Sequence, residues 1–167
     1  MIGNSGMNWY RLGYNVFSAI TFLPLLIMTV TLPDRPLYVI PAPWAFMAML
    51  FQFLAVIALV IGVLQTDVWS FVGLRQILGT QPDGIMMTGG LYRYVRHPLY
   101  TSGLLFIWLT PEMTLNRLVL YVSLTIYILI GAYFEERKLV REFGEEYLAY
   151  RLRTPMLIPI SIRRRMV

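Results

Sequence analysis

One short segment concentrates the polar chemistry of this chain: Gly89-Gly90-Leu91-Tyr92-Arg93-Tyr94-Val95-Arg96-His97-Pro98-Leu99-Tyr100-Thr101-Ser102-Gly103. Proline directly after His97 suits the first position of a helix, where a missing N–H costs nothing. A helix starting there gathers two arginines, a histidine and three tyrosines at its N-terminus. Unpaired backbone N–H groups and the positive end of the helix dipole attract anions at such a terminus, and tyrosine faces attract cations. A second cluster, Glu135-Glu136, closes a long apolar run. Adjacent helical positions point about 100° apart, so the spacing predicts that only one of the two carboxylates faces any given site, and it does not choose between them. Together, the clusters would suit a zwitterion such as an amino acid moiety. An ordinary basic loop with an aromatic belt, and a solvated helix end, would use the same residues. His97 is the only histidine and there is no cysteine, which excludes multi-His and thiolate metal sites, disulfides and thiol nucleophiles.

The elements that must position these clusters are apolar. Of 167 residues 57% are hydrophobic and only 14% charged, against about a quarter charged in a soluble domain. A small water-soluble core has no room for the excess, so the composition predicts an integral membrane protein. Four apolar stretches follow: Leu12–Pro33 with a kink at Pro24, Pro36–Thr66 with its helix starting near Trp44, Pro98–Thr110, and Leu118–Phe134. The third, at 13 residues, falls short of the ~20 that cross a bilayer upright. The expected architecture is all-α, with about four transmembrane helices, a third–fourth helix hairpin and a C-terminal interfacial amphipathic helix. It forms one membrane domain, 1–167: two spans (1–66), a connection carrying the motif (67–97), the hairpin (98–134), and a helix with a basic tail (135–167).

Charge gives the orientation. With four spans, twelve of the 14 Lys and Arg residues fall on one side, leaving Arg35 and Arg117 on the other. The positive-inside rule then makes both termini cytoplasmic, and the first span is expected to be retained rather than cleaved as a signal. Both clusters share the cytoplasmic side. The connection Asp67–His97 contains the amphipathic VWSFVGLRQIL and the turn-rich GTQPDG. Glu135–Arg153 carries Leu139, Phe143, Tyr147 and Tyr150 at helical spacing, with Gly144 a point of interruption. Arg163-Arg164-Arg165 reads as a topology signal or a contact with anionic lipid, so no nucleic-acid partner is expected.

The segments GLYRYVRHPLYTSG, EERKLVREFGEEYLAY and TPMLIP resemble the isoprenylcysteine carboxyl methyltransferase-like family of integral membrane methyltransferases. Phospholipid N-methyltransferases and membrane thiol S-methyltransferases are similar in the same region, Gly84–Pro159. The resemblance implies S-adenosylmethionine as methyl donor and a lipid or small hydrophobic acceptor at the cytoplasmic membrane face. By matching position it implies cofactor contacts at Tyr92, His97, Pro98, Leu99 and Tyr100, with Ile85, Met86 and Met87 around the adenosine. Aligning the F-G-x-x-Y motif puts the family's cofactor-binding glutamate at Glu135. Arg96 or His97 would meet the donor's carboxylate and Glu135 its ammonium, while no residue is marked as a general base. Two departures, Gly131 where prenylcysteine-processing members carry arginine and Gly84 where they carry histidine, turn the reading away from a prenylated protein. The alternatives are an NADPH-dependent reductase of the sterol reductase type, which shares a similar C-terminal block, and a non-catalytic membrane protein. Oligomeric state is not legible.

Overall fold

The protein is described by a computed structural model over residues 20, 23–65 and 86–160. Residues 23–31 are helical (α1); the start of the first expected span, the amphipathic stretch after Asp67, Ile85 and the terminal arginines lie outside the described residues. Helix α2, Trp44–Gln65, begins at the expected tryptophan and runs 22 residues without a charge, a rise of about 33 Å. Helix α3, Pro98–Trp108, has His97 as N-cap and proline in its first turn, as expected, and ends after 11 residues. Pro111 disfavours helical backbone at Thr110, which accounts for the early stop. Helix α4, Leu115–Arg153, is started by Thr114, whose hydroxyl accepts from the Arg117 N–H.

The apolar run ends at Phe134, but the helix does not. The helix continues unbroken past Glu135 and Glu136 and breaks only at Gly144 (φ 55°, ψ −130°). Glycine is the residue that takes such backbone angles without steric cost. Beyond it, the chain folds back, so that Tyr147 and Arg151 both reach Glu136.

The architecture is mostly helical, with one short strand pair that the sequence does not announce. Strands β1 (Pro36–Val39) and β2 (Glu112–Thr114) pair antiparallel, with Pro36 opposite Thr114 and Val39 opposite Glu112. Segments this short declare no strand by themselves, because the pairing partner lies far along the chain. The ladder ties the α1–α2 connection to the turn between α3 and α4. Asn116 reinforces it by donating from Nδ2 to the Leu32 carbonyl and from N–H to Asp34. Hydrogen bonds from Thr114 and from the Asn116 N–H hold the Asp34 carboxyl below its usual range. Arg35 and Arg117 therefore sit at one end of the molecule, and the basic motif sits at the other.

The hairpin arms differ in helix length but close evenly. Contact between His97 and Glu136 sets one end. From Leu115 to Glu136, α4 rises about 31 Å, whereas α3 rises about 17 Å. Residues 109–114 are non-helical and make up the difference, at about 3.3 Å per extended residue.

Two helices among the described residues, α2 and α4, are long and apolar enough to cross a membrane. Their outer faces expose Phe46, Phe53, Leu64, Ile126, Ile130 and Phe134. Soluble monomers rarely expose apolar surface so continuously. The buried set, by contrast, is rich in polar side chains: His97, Ser102, Thr110, Asn116, Glu136 and Thr154.

Helix α2 packs mainly on α3, with Gly62 at the closest approach. A Cβ there would lie 2.9 Å from a Leu99 methyl, whereas one at Gly103 would meet nothing within 4 Å. Gly62→Leu is expected to overpack this contact by about 1–3 kcal/mol and to lower the unfolding temperature in detergent. Gly103→Ala is expected to leave that temperature unchanged or raise it. Equal effects of the two substitutions in a thermal melt would refute the packing assignment.

Candidate functional site

The motif segment is fixed first by α2. Gln65, at the end of that helix, accepts the Leu91 N–H on Oε1 at 3.0 Å. This starts a 3-10 turn over Gly90–Arg93. Gly90 has φ 59°, and a Cβ there would run into the Gln65 amide, so glycine is needed on both counts. From the other side, the Tyr150 hydroxyl donates to the Tyr92 carbonyl.

Arg96 and His97 then meet Glu136. The Glu136 carboxylate is 5% exposed and collects contacts on both oxygens. On Oε1 it receives Arg96 Nε (2.7 Å), Tyr147 OH (2.9 Å) and His97 Nε2 (3.1 Å). On Oε2 it receives Arg96 Nη2 (2.9 Å) and Arg151 Nε (3.0 Å). Arg96 is thus held bidentate, the strongest arrangement for this pair, and its Nη1 donates to the Arg151 and Thr154 carbonyls. Burial by itself raises the Glu136 carboxyl. Hydrogen bonds from His97, Arg96 and Tyr147 outweigh it and bring the group to about 2. Burial and the Glu136 charge push the Tyr147 hydroxyl well up, which keeps it a donor.

A second set of bonds closes the segment from behind. The N–H groups of Arg96 and His97 donate to the Pro155 and Met156 carbonyls, at 2.9 and 3.1 Å. Thr101 Oγ1 donates to the Leu157 carbonyl at 2.7 Å. The tail thereby occupies two N–H groups that the sequence offers as part of an anion-binding corner.

The two clusters do meet across the intervening hairpin, and His97 contacts both carboxylates although Glu135 alone stays open. His97 sits between both glutamates. Its Nε2 contacts Glu136, and its Nδ1 lies 3.5 Å from Glu135 Oε2. An ionised Glu136 can only accept, so Nε2 carries the proton in this contact. Glu135 also accepts from Tyr100 OH at 3.0 Å, and the Tyr100 ring stacks on His97 at 5.3 Å. The glutamates divide by environment: Glu136 is enclosed, while the Glu135 side chain keeps 44% exposure.

Of the other expected site residues, Pro98 and Leu99 form the first turn of α3, Tyr92 lies in the 3-10 turn, and Met86 and Met87 lie just before the motif. Sequence reasoning missed the roles of Gln65, Tyr147, Tyr150, Arg151 and Thr154. Tyr147 was within reach as the tyrosine of F-G-x-x-Y. Tyr150, Arg151 and Thr154 show no signal until the chain folds back at Gly144, and Gln65 shows none until the end of α2 meets Leu91. Among the described residues, no group of three potential metal ligands occurs.

A family profile described as "protein of unknown function (DUF1295)" matches residues 10–154. The chain belongs to this family. Relatives with methyltransferase names share substantial identity with part of it. Methanethiol S-methyltransferase of Pseudomonas deceptionensis is 50% identical over 82 residues, covering 49% of this chain and 31% of the relative. Methanethiol S-methyltransferase 2 of Bradyrhizobium diazoefficiens is 44% identical over 104 residues, covering 59% and 40%. Protein-S-isoprenylcysteine O-methyltransferase of Schizosaccharomyces pombe is 39% identical over 83 residues, covering 47% and 34%. The matched part spans less than half the length of each of these relatives. No solved structure matches the chain.

The ionic hub has a pH signature. Because the Glu136 carboxyl is held below its ordinary 4.5, its stabilising effect is complete above that value and is lost as pH falls toward 2. Thermal midpoints in detergent are expected to fall below pH 4.5. Glu136→Gln is expected to cost about 3–5 kcal/mol by stranding Arg96 and to flatten that acid limb. An unchanged acid limb in the variant would refute the assignment.

Proposed function

We propose that this chain is an integral membrane methyltransferase that moves a methyl group from S-adenosylmethionine to a small hydrophobic nucleophile, with a thiol first among the candidates. The reading rests on one observation above all: Glu135, His97 and Tyr100 form a partly open carboxylate–imidazole–phenol cluster braced from behind by a buried ionic hub. The names of the relatives support methyl transfer, and the methanethiol relatives support a small thiol. Gly131, one helical turn before Glu135, has open space where a Cβ would stand. That fits an acceptor approaching without a side chain to hold it.

The cluster suits the cofactor in the chemistry of its donors. Glu135 Oε1 faces a ligand ammonium while Oε2 is steadied by Tyr100. The Tyr100 ring offers its face to a cation. His97 Nδ1, with Nε2 fixed on Glu136, presents the imidazole in one orientation. Ile85, Met86, Met87, Tyr92, Pro98 and Leu99 complete the proposed contact set. Arg96 acts through position: with its guanidinium engaged by Glu136 and the Arg151 and Thr154 carbonyls, it holds the end of α4 rather than a ligand. When bound, S-adenosylmethionine supplies an electrophilic methyl on a sulfonium. The protein's share is to orient the donor, place the acceptor in line and exclude water.

We further propose that the site faces the cytoplasm, with both termini on that side. Twelve of the 14 basic residues lie with the motif end in the four-span reading, and the β1–β2 ladder keeps Arg35 and Arg117 at the opposite end.

Calorimetric titration of the detergent-solubilised full chain should show saturable S-adenosylmethionine binding, weakened at least tenfold in Glu135→Ala and His97→Ala, and no NADPH binding. A methyl-transfer screen should favour small thiols over prenylcysteine analogues. Binding of NADPH alone would reverse the reading in favour of a reductase, and binding of neither would favour a non-catalytic protein. Since the chain has no cysteine, single cysteines at Asp34 and Arg137 can test orientation. An impermeant maleimide should label them from opposite sides of the membrane.

A further inference from the structure

The return of the chain after Gly144 builds a second recess, which shares Arg96, Arg151 and Thr154 with the ionic hub but opens away from Glu135. A cavity of about 560 Å³ lies between the last turns of α4 and the tail. Leu148, Leu152, Met156 and Ile160 give it apolar walls, and Arg151 and Arg153 stand among its lining residues, with no acidic residue in the lining. Leu152 is 77% exposed and Ile160 62% exposed, and neither is needed by the hub.

Its depth follows from the contacts. Arg151 reaches Glu136, two residues past the apolar run Leu118–Phe134. The tail reaches the first turn of α3 through Thr101 and Leu157. The recess therefore lies level with the end of the apolar surface, where a bilayer would change from acyl chain to headgroup. Arg153 uses Nε on its own helix, donating to the Ala149 carbonyl, which leaves its Nη groups for a ligand.

We propose that this recess binds an anionic phospholipid, its phosphate held by Arg153 with Arg151 and its acyl chain laid along Leu152, Met156 and Ile160. Charge decides the occupant. A zwitterionic lipid brings an ammonium toward two guanidinium groups. A cationic peptide is repelled by them, and a neutral one offers only carbonyls, weaker acceptors for a guanidinium than a phosphate. Basic residues at a membrane surface favour anionic lipid over zwitterionic lipid, and an open apolar wall beside them selects an amphiphile over a free ion.

The test is native mass spectrometry of the full chain in detergent, titrated with phosphatidylglycerol, with phosphatidylcholine and, separately, with inorganic phosphate. Phosphatidylglycerol is expected to bind at least tenfold more tightly than phosphatidylcholine. Arg153→Glu is expected to abolish that preference, and Leu152→Gln to weaken both lipids. Equal binding of the two lipids, a preference that survives Arg153→Glu, or displacement of lipid by millimolar phosphate would each overturn the proposal. S-adenosylmethionine binding measured on the same samples reports separately on the methyltransferase reading. Arg153→Glu should leave it unchanged, which also shows that the variant is folded.

Discussion

The Glu136 carboxylate is the constraint on which the rest of this structure depends. It joins three stretches of chain: the loop of Arg96 and His97, the long helix that carries it, and the returning segment of Tyr147 and Arg151. A chain with so little apolar interior has few other means of fixing tertiary structure. Burying a charge is expensive unless it is paired and hydrogen-bonded. Here two arginines, an imidazole and a phenol share the pairing, and Arg96 extends the network to the Thr154 carbonyl. Among the described residues, no buried side-chain polar atom lacks a partner.

This hub explains why two adjacent glutamates play different parts. Glu136 faces the returning helix and is enclosed by it. Glu135 lies about 100° around the helix and keeps access to solvent. His97 bridges them because an imidazole has nitrogens on two edges, so one ring can answer two carboxylates that point apart. One carboxylate fixes the ring and leaves the other to serve the opening. The outcome depends on what packs against the helix after Gly144. Spacing alone therefore could not choose between the glutamates.

Much of the backbone was legible for local reasons. Trp44 begins a helix because prolines precede it, Pro98 begins another because proline suits the first helical position, and Gly144 interrupts a third because it can take positive φ. These are properties of a residue and its immediate neighbours. The site was legible in membership more than in roles: His97, Tyr100 and the acidic pair do converge. The opaque features all require a distant partner. Strands β1 and β2 are recognisable only as a pair. The end of the apolar run at Phe134 marks a change of surroundings and no change of backbone, so the helix passes through it. Arg96 reads as a contact for the donor carboxylate until Glu136 and two backbone carbonyls are seen to take its guanidinium.

The short third helix raises a question that the same bonding rules answer. Within a bilayer every backbone polar group needs an internal partner, yet α3 stops after 11 residues and the chain goes on without helix. If the hairpin crosses the membrane as proposed, residues 109–114 must be satisfied by the protein itself. The bonds are present. Gln52 Nε2 donates to the Phe106 carbonyl in the last turn, and Tyr38 OH reaches the Thr110 carbonyl. The Ile40 N–H takes the Pro111 carbonyl, and the Leu115 N–H takes that of Arg35. Trp108 Nε1 meanwhile anchors to Thr125 on the facing helix. The strand pair thus supplies partners to the backbone where the helix leaves off. It also fixes where α3 begins: with the far end pinned by the ladder, His97 and Tyr100 are held at the level of Glu135, where the polar cluster meets the end of the apolar surface.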